Sequence, residues 1–280
     1  MRNARSVVRT AAVAVTAGLL SLPMVGPASG SAQTTNHNPS EPKPTVVLVH
    51  GAWADGSSWA AVTAQLQRQG FTVRVPANPL RGVASDAQYL RDYLATIPGP
   101  IVLVGHSYGG MVITNAATGN ANVRALVYVN AFLPEKGETV EQLNSAQPGS
   151  ALDPNTAIDA VPFRDTSGNV VDVDLYVKPA LFPAIFAAGV PAEKAAVLAA
   201  SQRPFALSAL TEASPDVPAW QTIPSWSLIG TADRVLTPAE QQVMATRAHA
   251  HVVKVRAPHL SMVTDPATVS ALITTAAARR

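Results

Sequence analysis

The sequence predicts an α/β protein whose core is a doubly wound, mostly parallel sheet of six strands, interrupted by one helical insert. Three observations lead there. Short β-branched apolar runs alternate with helix-like stretches from residue 45 to residue 130, and again from residue 225 onward. The runs are almost continuously apolar, the pattern of strands covered by helices on both faces. The third run, Ile101-Val102-Leu103-Val104, is followed at once by Gly105-His106-Ser107-Tyr108-Gly109, a G-x-S-x-G sequence between strand and helix.

The elements follow in order. Thr45–His50 is the first strand and ends in a Gly-containing turn. Ser58–Gln69 reads as a helix, with Ala61, Val62 and Leu66 at helical spacing and Gly70 as its stop. Phe71–Val75 is the second strand. Ser85 is expected to cap a helix that buries Tyr89, Leu90, Tyr93, Leu94 and Ile97. Pro100–Gly105 is the third strand, Met111–Ala117 a helix and Val123–Asn130 the fourth strand. The rhythm then breaks over about 131–218, a Pro-rich stretch with a turn at Ser167-Gly168-Asn169 and helix-like pieces at Leu181–Gly189 and Glu193–Ala200. It resumes with strand Ser225–Gly230, helix Pro238–Ala248, strand His251–Arg256 and a last helix around Ala267–Ala277. Inserts at the carboxyl ends of such strands lie over the ligand crevice, so this one is expected to form a cap over the site.

The N-terminus belongs to a different class of segment. Arg2, Arg5 and Arg9 precede a mostly apolar run, Ala11–Gly26, and small residues at Ala28-Ser29-Gly30-Ser31-Ala32. Residues 1–32 therefore read as a secretory signal peptide with cleavage near Ala32, which directs the protein outside the cytoplasm. The run contains Pro23 and falls short of the ~18–20 residues of a membrane span. Residues 33–44 are polar and Pro-rich, a flexible leader before a domain over 45–280. Without the three N-terminal arginines, 17 basic side chains face 18 acidic ones. The excess of positive charge belongs to the signal, and no basic patch argues for nucleic acid or for an anionic membrane as partner. Cysteine is absent, which excludes disulfides and thiol chemistry.

A serine hydroxyl is a weak nucleophile and needs a base, a group that orients the base, and donors for the oxyanion. Ser107 sits where a strained strand-to-helix turn exposes a nucleophile. The base is expected just after the last strand, and His259 alone among the six histidines occupies that place. His37 lies in the leader and His50 in the loop after the first strand. His106 is the variable residue of the turn, and His249 and His251 flank the wrong end of the last strand. The orienting acid is expected after the strand before, where Asp233 lies, with Glu135 and Glu138 as substitutes from the fourth strand's loop. Backbone N–H groups of Ala52 and Tyr108 are the candidate oxyanion donors. Gly51 allows close approach to the first of them. Trp53, with Leu181, Phe182, Ile185, Phe186 and Phe205 from the insert, and Leu260, are candidates for apolar substrate contacts.

The order Ser107, Asp233, His259 is that of the α/β-hydrolases, and the sequence resembles that superfamily over 45–278. More narrowly it is similar to the branch of plant methylesterases, hydroxynitrile lyases and bacterial carboxylesterases of the pyrethroid-hydrolase type. The residues that carry the resemblance are His50-Gly51-Ala52-Trp53 with Trp59, Gly105-His106-Ser107-Tyr108-Gly109-Gly110, Asp233-Arg234, and His259-Leu260-Ser261-Met262 with Asp265-Pro266. The resemblance implies a six-stranded core with a cap, no cofactor or metal, and Ser107, Asp233 and His259 as a catalytic triad acting on a small-molecule ester. Two departures matter. The lyases of the branch have Thr beside the oxyanion loop and Lys after the histidine, where this chain has Gly51 and Leu260, so cyanohydrin cleavage is not expected. Tyr108 stands where Leu or Met is common. The expected function is a secreted serine esterase for small apolar esters. The alternatives are a cofactor-free haloperoxidase or perhydrolase on the same triad, and a non-catalytic binding module. An Asp nucleophile, which dehalogenases and epoxide hydrolases need, is missing.

Overall fold

A computed structural model describes residues 43–279. The proposed signal segment and all but the last two residues of the leader lie outside the described residues.

Strand β1 (Thr45–Val49) leads through a 3₁₀ turn at Gly56–Trp59, capped by the Asp55 carboxylate, into helix α1 (Ala60–Arg68). Then come β2 (Val73–Arg74), α2 (Val83–Ala95), β3 (Ile101–His106), α3 (Gly109–Ala116) and β4 (Val123–Val129). The insert contains α4 (Val140–Ser145), α5 (Pro154–Ala157), β5 (Ile158–Arg164), β6 (Val170–Val177), α6 (Phe182–Ile185), α7 (Ala192–Ala200), β7 (Phe205–Ala206) and α8 (Leu207–Thr211). The core resumes with β8 (Ser225–Gly230), α9 (Pro238–Arg247), β9 (His251–Val255), α10 (Ser261–Thr264) and α11 (Pro266–Ala278).

The main sheet has the order β2-β1-β3-β4-β8-β9, and every adjacent pair is parallel. Its inner strands are apolar because both faces are buried: every residue of β3 and β8 is shielded from solvent. Strand β9, at the edge, is largely exposed. The chain runs from β1 outward to β2, then crosses back past β1 to β3. That reversal opens a crevice at the carboxyl ends of β1 and β3, the place where sheets of this kind bind ligands.

Local chemistry explains where helices begin. Thr237 and Asp265 accept from the backbone N–H groups of Glu240 and Thr268, and Pro238 and Pro266 follow them in the first turn. The expected cap at Ser85 is corrected. Helix α2 starts at Val83, the Ser85 hydroxyl donates to the Gly82 carbonyl, and Glu212 from the insert accepts the Ala84 N–H instead. The second strand is shorter than expected, because only Val73 and Arg74 pair with β1.

The insert adds a three-stranded antiparallel sheet, β5-β6-β7, to its helices. Its hairpin turns at Ser167-Gly168-Asn169, where Asp165 Oδ1 accepts the Ser167 and Asn169 N–H groups and Gly168 takes φ +85°. The strands escaped periodicity because β5 is exposed along almost its whole length and holds Pro162. Three ties fasten this sheet to the core. Trp53 Nε1 donates to the Leu175 carbonyl at 2.8 Å, the Ala206 N–H donates to Leu80 O at 3.0 Å, and Arg81 pairs with Asp174 at 2.7 Å.

Helix α3 packs so closely on the strand end beyond β4 that a Cβ at Gly110 would lie 2.1 Å from the Phe132 carbonyl oxygen. Gly119, at φ +74°, has open space around it. Gly110→Ala should therefore lose roughly 4 kcal/mol or fail to fold, whereas Gly119→Ala should lose only about 1 kcal/mol, from backbone strain. Urea denaturation of the two variants checks this, and a Gly110→Ala protein as stable as Gly119→Ala would refute it.

Candidate active site

In the crevice, β1 and β3 pair with Val49 opposite Gly105, so the turn His50-Gly51-Ala52-Trp53 lies beside Ser107. Ser107 holds φ +51°, a conformation that costs a non-Gly residue strain, and its carbonyl accepts from Gly110 and Phe132 N–H groups at 2.9 and 3.2 Å. The turn is tight enough to need its glycines: a Cβ at Gly105 would lie 2.7 Å from the Gly109 backbone. A Cβ at Gly51 would lie 2.7 Å from Ser107 Cβ. Close approach of the two loops is thus built into the sequence.

The loops after β8 and β9 are neighbours because Gly230 pairs with Val255. They bring Asp233 and His259 together, with His259 Nδ1 donating to Asp233 Oδ2 at 2.9 Å in a fully buried contact. Asn130 Nδ2 and Gln241 Nε2 donate to the same oxygen at 3.0 and 2.9 Å. The other carboxylate oxygen accepts the N–H groups of Val235 and Leu236 at 2.8 and 3.1 Å. Since Nδ1 keeps its proton and donates it to Asp233, Nε2 of the neutral ring carries the lone pair, and that buried atom has no partner among the described residues. Ser107 and His259 Nε2 are therefore not hydrogen-bonded in this conformation. Such bonds are often long before substrate binds and tighten on the way to the transition state.

Among the described residues, neither the Ala52 nor the Tyr108 N–H has a backbone acceptor, though both residues are buried. Two N–H groups without a backbone acceptor thus flank the strained serine turn, and such groups are able to meet an oxygen from outside the chain. His50 aims the first of them. Its Nε2 accepts the Asn78 N–H at 3.0 Å, so the proton sits on Nδ1, which donates to the Gly51 carbonyl at 3.0 Å. In a trans peptide the C=O and the following N–H point in opposite directions, so the Ala52 N–H faces away from His50.

Several functional partners had weak sequence signals. His106, the variable residue of the turn, is fully buried; its Nε2 donates to the His259 carbonyl at 3.0 Å and its ring lies 4.7 Å from the His259 ring. Asn130, a polar residue ending an apolar strand, holds φ +46° and accepts from the Ser261 hydroxyl at 2.6 Å. Gln241 gave no signal. Glu135 and Glu138, the substitute acids, lie elsewhere, against the Arg247 guanidinium.

Above the serine the insert contributes aromatic rings in successive contact. Tyr108 meets Phe205 at 4.9 Å between centroids, Phe205 meets Trp53 at 5.5 Å, Trp53 meets Phe186 at 5.7 Å, and Phe186 meets His259 at 5.1 Å. A narrow cleft beside them is lined by Trp53, Phe182, Phe186, Leu198 and Leu260, with Asp55, Ser58 and Ser201 as its polar points. Leu181 does not join them: it precedes α6 and is 37 % exposed.

A family model described as "Alpha/beta hydrolase family" matches residues 46–272. A carbendazim-hydrolyzing esterase of a Nocardioides species is 39 % identical over 112 residues, which cover 35 % of this chain and 46 % of that protein. A pyrethroid hydrolase of Sphingobium wenxiniae is 33 % identical over 108 residues, covering 34 % and 39 %. The chain thus spans less than half the length of these two curated relatives. The crystal structure of polyneuridine aldehyde esterase superposes with a TM-score of 0.71 at 18 % identity, over 83 % of this chain and 98 % of that one.

Burial lowers the affinity of both His50 and His106 for a proton below the ordinary 6.5, in His106 far below. At pH 6.5 His106 should be neutral, as the Nε2–H tautomer, and His50 more neutral than charged, as the Nδ1–H tautomer. Long-range ¹H–¹⁵N spectra check this, and a charged ring or the opposite tautomer at either position would refute it. The unfolded chain takes up protons that the folded one refuses. The stability owed to the two neutral rings is therefore complete above about pH 6.5 and is lost as pH falls toward their lowered folded values.

Proposed function

The chain belongs to the alpha/beta hydrolase family, and within it we propose a serine esterase in which Ser107 is the nucleophile, His259 the general base and Asp233 the acid that orients it. The observation that carries this reading is the buried 2.9 Å contact from His259 Nδ1 to Asp233 Oδ2, which leaves Nε2 as an acceptor with no partner among the described residues. The esterase and hydrolase relatives support ester cleavage as the reaction class.

The Ser107 hydroxyl attacks the ester carbonyl as His259 Nε2 takes its proton. The oxyanion forms against the N–H groups of Ala52 and Tyr108. Each such donor is worth ~10²–10³ in rate because it is fixed before charge develops. His259 then gives the proton to the leaving alcohol. Water, activated by the same nitrogen, releases the acyl group and restores the serine. The walls Trp53, Phe182, Phe186 and Leu260 are apolar, which favours small apolar acyl or alcohol groups, and such a group must part these side chains because the cleft as it stands has room for only about one water molecule. Leu260, buried directly after His259, offers no positive charge to a departing cyanide. The basic, apolar and small-residue stretches of 1–32 support export with cleavage near Ala32.

Ser107→Ala should reduce hydrolysis of short p-nitrophenyl esters by at least about 10³-fold and abolish labelling by a fluorophosphonate probe. An alanine variant that still turns over these esters at the parent rate would overturn the assignment. If the parent protein is labelled but hydrolyses no ester, and carries out peroxide-dependent halogenation instead, the perhydrolase reading replaces it.

A further inference from the structure

Tyr108 stands directly after the nucleophile, and only its backbone N–H is needed to bind an oxyanion. Its side chain is nevertheless committed. The hydroxyl donates to Asp86 Oδ2 at 2.9 Å, in a contact where both residues are buried. Asp86 is an unusual partner. It is a carboxylate fully enclosed in the first turn of α2, 22 residues before Tyr108 in sequence, and burial raises its proton affinity above the ordinary carboxylate range. A buried carboxylate persists only where donors meet it. Here those donors include the Tyr108 hydroxyl and the Arg81 N–H, which lies 3.2 and 3.1 Å from the two carboxylate oxygens.

The same carboxylate thus holds two structures far apart in sequence. One is the residue that completes the serine turn. The other is the loop before α2, where Leu80 is strained at φ +62°. That loop is the core's attachment point for the cap sheet: Leu80 O accepts the Ala206 N–H, Arg81 pairs with Asp174, and Arg81 O accepts the Ser208 hydroxyl at 2.8 Å. The Tyr108 ring meets the same cap strand through Phe205.

We infer that Asp86 and the Tyr108 hydroxyl are positioning residues for the oxyanion site, fixing the Tyr108 N–H and tying its placement to the docked cap. The inference rests on the esterase reading of Ser107. The peptide plane that carries the Tyr108 N–H is held on its Ser107 carbonyl side by the Gly110 and Phe132 N–H groups, which leaves the Tyr108 side of the plane to be fixed. A side chain anchored at its far end to a rigid helix supplies that hold. The gain falls on the transition state, where the donor meets a full negative charge, rather than on the ground-state ester.

Tyr108→Phe keeps the ring and its contact with Phe205 and removes only the anchoring oxygen. We expect kcat for p-nitrophenyl butyrate to fall about 10-fold with KM changed less than 2-fold. The inhibition constant of an aryl trifluoromethyl ketone, which forms a tetrahedral oxyanion on the serine, should rise by the same factor as kcat/KM falls. Asp86→Asn keeps one acceptor for the hydroxyl but turns an amide toward the Arg81 N–H, and should give a smaller loss of the same kind. In the Tyr108→Phe background, Asp86→Asn should add little. A Tyr108→Phe protein with parent kcat and parent ketone affinity overturns the inference. So does a loss carried by KM alone, or one not mirrored in the ketone. Failure of the esterase reading itself looks different: the parent protein would then lack ester turnover that Ser107→Ala removes.

Discussion

A carboxylate taken out of water must be met by hydrogen-bond donors, and the site is arranged around that requirement at Asp233. Its two oxygens accept from five groups: His259, Asn130, Gln241, Val235 and Leu236. The two backbone donors occupy Oδ1 and come from Asp233's own loop. Oδ2 is left for the three side chains, which arrive from the loop after β9, the end of β4 and helix α9. Unpaired, a buried carboxylate costs several kcal/mol; so arranged, it holds the imidazole of His259 in one tautomer and one orientation. The parallel order of β4, β8 and β9 makes this convergence possible, since all three strands present their carboxyl ends to the same edge.

Crowding supplies the second constraint. The turns after β1, β3 and β4 each hold a non-Gly residue in the left-handed region: Trp53, Ser107 and Asn130. Each of the three costs strain that the surrounding packing must offset. The glycines make room for this, because the Gly51 backbone and the serine approach closer than any side chain allows. Strain and close packing are therefore aspects of one arrangement. A backbone with room to relax would relieve Ser107 and let its hydroxyl turn away.

The parts of this arrangement legible in sequence were those set by chain order and period. The buried strands read as apolar runs, the serine turn as G-x-S-x-G, and the positions of Asp233 and His259 followed from which strand each one trails. What escaped were polar residues whose partners lie far off in sequence. Asn130 reaches Asp233 across 103 positions, and Ser261 reaches Asn130 across 131. Asp86 sits in a helix where a single acidic residue reads as a solvated face. The cap sheet escaped for another reason. Strand β5 exposes most of its side chains and has no buried face to impose an alternation of period two.

The aromatic cover and the neutral histidines complete the logic of a dry site. Removing water strengthens every charge interaction near Ser107, favourable or not. Beside the His259 ring lies another histidine, His106, at 4.7 Å between centroids. In the proposed mechanism His259 becomes an imidazolium, and a charge on His106 would oppose that step. Burial holds the proton affinity of His106 well below the ordinary histidine value, and its Nε2–H is spent on the His259 carbonyl, so this neighbour fixes the backbone that carries the imidazole. Phe186 approaches the other partner of this pair from the cap, with its ring 5.1 Å from His259, and excludes water from the imidazole without offering it a competing acceptor. The aromatic and neutral character of the enclosure thus belongs to the same proposed arrangement as the carboxylate behind His259.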